Sequence, residues 1–88
     1  MLNRNFMIVN RLGLHARAAA QFVQTASKFR AEVTLTKDDV EVNGKSIMGI
    51  LLLAAPKGTE VSVAIDGDDE EQAMNVIANL IEDGFGED

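Results

Sequence analysis

Short runs with a two-residue period alternate along this chain with longer stretches in which apolar residues recur every three or four positions, and that alternation calls for a small sheet covered by helices. Phe6-Met7-Ile8-Val9 is β-rich and ends at Asn10, which predicts a first strand. From Ala16 onward, Ala19, Phe22, Val23 and Ala26 share one helical face, while Arg17, Gln21, Gln24 and Lys28 occupy the other. Residues 32–36 and 40–42 alternate strictly about Lys37-Asp38-Asp39, the pattern of a hairpin, and Asn43-Gly44 follows it. Ser46 is a favoured N-cap, and Ile47, Ile50, Leu51 and Ala54 fall on one face, so a short helix is expected to about residue 53, ahead of Pro56-Lys57-Gly58. Residues 61–65 read as a central strand because neither face is strongly polar. Asp69 with Gln72 resembles a capping box before a last helix whose buried stripe is Ala73, Ile77, Leu80 and Ile81, and Gly84 followed by Phe85 fits its end. The predicted order is β-α-β-β-α-β-α, without repeat or linker.

At 88 residues the chain has room for one domain, 1–88, with a single site. A hydrophobic content of 47% with 25% charged residues supports a real core over disorder. The absence of cysteine removes disulfides, thiolate metal sites and thiol nucleophiles together. His15 is the one histidine, and it must act alone or serve as a structural residue, since metal sites and triads need partners. Asp66-Gly67-Asp68-Asp69 lacks the ligand pattern of an EF-hand and reads as a turn plus a cap, so neither metal nor cofactor is expected. The net charge of -6 is uneven: residues 1–45 carry seven Lys/Arg against four acids, and residues 66–88 carry nine acids and no base. An acidic balance without Tyr or Trp argues against nucleic acid, but an acidic protein partner can dock on the basic part. The longest apolar run, residues 47–55, is far short of the ~20 residues of a membrane span, and residues 1–9 lack a signal-peptide core. A cytoplasmic protein is expected.

Gly13-Leu14-His15-Ala16-Arg17 sets the imidazole between a loop glycine and the first turn of the first helix. The first amides of a helix lack internal partners and carry partial positive charge, so a phosphoryl group on His15 would be stabilised there, with Arg17 adding a permanent cation. Of the two ring nitrogens, Nδ1 lies nearer the main chain and would bring a phosphoryl to the N–H groups of Ala16 and Arg17, whereas Nε2 is expected to point outward. The bland alternative is a polar residue near a helix start. Ser46, beside Lys45, occupies a second helix start, where it can be a phosphate acceptor or simply a cap, and no activating base is visible. Ile47 and Met48 can be core or an exposed docking patch.

Taken together, Gly13-Leu14-His15-Ala16-Arg17-Ala18-Ala19 and Lys45-Ser46-Ile47-Met48-Gly49-Ile50 resemble the active-site and regulatory-site motifs of the HPr family, the histidine-containing phosphocarriers of the bacterial phosphoenolpyruvate-dependent phosphotransferase system. The resemblance runs over essentially the whole chain. It implies an α+β open-faced sandwich, a four-stranded antiparallel sheet with three helices on one face. It also implies a stoichiometric carrier and not an enzyme: His15 accepts phosphate on Nδ1 from phosphorylated enzyme I, supported by Arg17, and passes it to an enzyme IIA component. Ser46 becomes a possible target of HPr kinase/phosphorylase, whose phosphate would repel a second one on His15 and block docking. Ile47, Met48 and Lys45 become docking residues of a monomer. Family members often carry proline where this chain has Ala18, which leaves the fine positioning of the first turn open. A regulatory binding protein governed by Ser46 is the competing reading, and sugar uptake and the nitrogen-related branch both stay open downstream.

Overall fold

The computed structural model describes residues 1–87; Asp88, the last acid of the tail, lies outside them. Its elements are β1 (Leu2–Met7), α1 (Ala16–Ala26), β2 (Glu32–Lys37), β3 (Val40–Asn43), α2 (Ile47–Leu53), β4 (Glu60–Asp66) and α3 (Glu70–Glu82), with a 3-10 turn at Gly84–Gly86. All strand pairings are antiparallel in the order β1-β4-β2-β3, so β4 is central as its composition predicts. Alternation within that register places Phe6, Val33, Leu35, Val61, Val63 and Ile65 on one face, all buried under the three helices. Asn3, Asn5, Ser62, Thr34, Thr36 and Glu41 fall on the other face, and the hydroxyl of Ser62 donates to Asn5 Oδ1 at 2.6 Å. The fold is an open-faced α+β sandwich. Among the described residues, no helix is long and apolar enough to cross a membrane.

The first strand differs from its expected position. It begins at Leu2 and ends at Met7, because an edge strand with one open face accommodates Asn3 and Asn5, and Arg4 lies over the Phe6 ring at 4.8 Å while reaching Glu82. The face of α2 is also corrected: Ile50 and Leu53 are buried, whereas Ile47 and Ala54 are exposed. Ala54 instead ends the helix in the left-handed region, at φ 49°. The expected capping box at Asp69 does not form. Its carboxylate accepts from the N–H groups of Arg30 and Ala31, both at 2.9 Å, and Glu70 takes the Gly67 N–H at 3.1 Å. The stripe of α3 holds Ala73, Met74, Ile77, Ala78 and Ile81, with Leu80 only half-buried.

α1 and α2 run antiparallel against each other, and two contacts set their ends. Leu14 N–H donates to Ala55 O at 2.9 Å, which ties the start of α1 to the end of α2. Lys45 Nζ donates to Phe29 O at 2.7 Å, which ties the start of α2 to the loop after α1. His15 and Ser46 therefore stand at opposite ends of the helix pair.

Candidate functional site

His15 is the residue before the first turn of α1. Its backbone is extended, at φ -76° and ψ 179°, its carbonyl accepts the Ala19 N–H at 2.8 Å, and its side chain caps nothing. The N–H groups of Ala16, Arg17 and Ala18 consequently have no acceptor among the described residues, which leaves an electropositive cradle at the helix start. Ala18 is buried in this turn, and a proline at the same position would forfeit no hydrogen bond. Gly13 makes the approach possible: at φ +67° its backbone lies so close to Ala55 and Pro56 that a Cβ would stand 2.4 Å from Ala55 O.

The imidazole reaches the C-terminal tail through its Nε2 edge. Nε2 lies 2.9 Å from Glu87 Oε2, which corrects the expectation that it points outward. Glu87 also accepts from Asn10 Nδ2 at 2.8 Å and from the Leu12 N–H at 3.2 Å. The bond from the Asn10 amide, joined by those from His15 and Leu12, outweighs burial and holds the Glu87 carboxyl below its ordinary value, so it is ionised at neutral pH. An ionised carboxylate only accepts, so Nε2 carries the ring proton. In the neutral ring the lone pair is then on Nδ1, which makes no hydrogen bond among the described residues. Arg17 is exposed and enters no ion pair among the described residues. It lines a hollow of about 270 Å³ together with His15, Gln21, Phe85 and Glu87.

The structure thus brings His15, Ala16 and Arg17 together and adds Glu87 and Asn10, which the sequence reading passed over. Glu87 is 72 positions from His15, and in the sequence it is one of nine acids in a tail expected to lie apart from the histidine. Its one signal is the Gly84-Phe85-Gly86 segment, a turn-former around an apolar anchor.

Ser46 sits elsewhere. Its Oγ accepts the Gly49 N–H at 3.1 Å, the contact of an N-cap. Neighbouring Ile47 and Met48 are 42% and 71% exposed, and Leu52, on the same short helix, is 73% exposed. Lys45 is engaged with Phe29 and does not reach Ser46 in this arrangement.

The whole chain compares closely with known proteins. The family model described as "PTS HPr component phosphorylation site" matches residues 2–83. The "Phosphocarrier protein HPr" of Neisseria meningitidis is 54% identical over 99% of this chain and 98% of its own length. That of Xylella fastidiosa is 52% identical over 100% and 99%. Among solved structures, HPr-C-His from Thermoanaerobacter tengcongensis superposes with a TM-score of 0.96 at 49% identity, covering 100% of this chain and 99% of that one.

Proposed function

This chain belongs to the HPr family and is a phosphocarrier of the phosphotransferase system, and on that premise we propose that His15 Nδ1 is its phosphoryl acceptor. The observation that carries this reading is the unpaired first-turn amides of α1 beside an imidazole whose Nε2 is occupied by Glu87. The Nδ1 lone pair attacks the phosphorus of phosphorylated enzyme I, the bond to the donor breaks, and the donor leaves with its electron pair. The N–H groups of Ala16 and Arg17 then receive the phosphoryl oxygens, and the Arg17 guanidinium adds charge-assisted hydrogen bonds. Enzyme IIA components take the group in the reverse of the same displacement. The carrier is consumed and regenerated stoichiometrically and has no turnover of its own. It works as a cytoplasmic monomer, one domain over residues 1–88.

Docking falls to the exposed apolar side of α2, Ile47 and Met48, with the nearby charge of Lys45. Ser46 serves as a regulatory acceptor for HPr kinase/phosphorylase. Its phosphate adds negative charge at the docking surface and opposes a second phosphate on His15. Incubation with phosphoenolpyruvate and enzyme I should place acid-labile phosphate on His15, and His15→Ala should abolish it; equal labelling of that variant would overturn the assignment.

A further inference from the structure

We infer that the groove between α1 and α3 is a docking site for a basic amphipathic helix of a partner protein, separate from the relay surface. It stands apart from the carrier reading: the hollow there shares no lining residue with the one at His15, and none with the exposed side of α2.

The apolar floor of the groove comes from α3. Its covered stripe is Ala73, Met74, Ile77, Ala78 and Ile81, and the helix carries two further apolar residues beside that stripe. Val76 and Leu80 stand one turn apart, Val76 40% exposed and Leu80 half-buried. With Thr25 of α1 they line a hollow of about 660 Å³. α1 and α3 pack against each other over the sheet, and two helices so placed leave a groove into which the ridge of a third can settle.

The rim sets the charge of the occupant. Of the other lining residues, Asn79 is neutral, Glu82 and Asp83 are acids, and none is basic. The two acids stand at the C-terminal end of α3, where the last carbonyls already give the helix its negative pole, and its last turn holds no base. Arg4 reaches Glu82 at 3.7 Å, whereas Asp83 enters no ion pair among the described residues. Lys28, three positions beyond Thr25, does not line the hollow. Acids at this pole work against the helix that carries them, and a local conflict of that kind is expected where a surface serves a partner. Lys or Arg on an incoming helix relieves the conflict, while Leu, Ile or Phe of the same helix fills the space over Val76 and Leu80.

The probe is a Leu/Lys amphipathic peptide of about 18 residues, titrated into isotope-labelled protein and followed by NMR. The amide resonances of Thr25, Val76, Asn79 and Asp83 should move most, and the peptide should bind about tenfold tighter than a scrambled peptide of the same composition. Val76→Asn removes the apolar contact without altering charge and should weaken binding about tenfold. Asp83→Lys should weaken it about as much while raising the thermal midpoint, because a cation suits that helix end; binding lost from a more stable protein is not a folding defect. Shifts centred on Ile47, Met48 and Leu52, equal binding of the scrambled peptide, or a Val76→Asn affinity within about twofold of wild type would each overturn the inference. So would a dimer in sedimentation that Val76→Asn dissociates, which would give the groove to a second copy of this chain.

Discussion

Gly13 is where the backbone has least latitude around the histidine. Its φ of +67° disfavours any L side chain, and the atoms a Cβ would meet, Ala55 O at 2.4 Å and Pro56 Cα at 2.8 Å, are main chain that cannot rotate aside. Gly13→Ala should therefore lower stability by about 2–4 kcal/mol, read as a drop in the urea midpoint at unchanged m-value. The same shift should loosen the Leu14 bond to Ala55 and slow His15 labelling. At this scale the sequence was informative about His15, because a glycine before a lone histidine at a helix start is a local pattern. It was silent on Asn10 and Glu87, whose roles arise only when residues 10, 15 and 87 meet in space.

Among the elements, α2 carries the strongest local signals. Ser46 caps its start through Gly49, and Ser46→Ala should cost about 1 kcal/mol in denaturant unfolding, an effect to be subtracted before any regulatory conclusion is drawn from that variant. At the other end Ala54 holds a left-handed φ of 49°, where a glycine is unstrained, so Ala54→Gly should raise stability by about 1 kcal/mol by the same measurement. The cap was legible because it depends on residues three apart. The buried face was not, because a seven-residue helix has too few turns for periodicity to separate Ile50 and Leu53 from Ile47 and Ala54. Asp69 illustrates the same limit. The spacing to Gln72 is local and suggested a capping box, but the amides of Arg30 and Ala31, brought close by the β2–β4 pairing, claim its carboxylate instead.

For the molecule as a whole, three carboxyls bind its far ends together. Asp69 is lowered chiefly by the Arg30 amide, Glu70 by the Gly67 amide and then the N-terminal ammonium, and Glu87 by the Asn10 amide. Each folded-state value lies below the unfolded one, so the stability they add is complete above the ordinary carboxyl range, near 3.8 for Asp and 4.5 for Glu, and is lost as pH falls through the depressed values. The thermal midpoint should be level near neutrality and fall below about pH 4.5, and Asp69→Asn should flatten that acid limb. The order of elements along the chain and the central place of β4 were legible, the first from the alternation of strand and helix patterns and the second from a strand with no strongly polar face. The one stretch it missed, residues 2–5, is polar because an edge strand with an open face has little to bury.

The tail turn also has a practical consequence for anyone handling the protein. Glu87 hydrogen-bonds His15, so an affinity tag or fusion partner joined close behind it crowds the imidazole proposed as the phosphoryl acceptor. The Met1 amine pairs with Glu70 at the opposite end of β1, and a tag placed there leaves the histidine unobstructed.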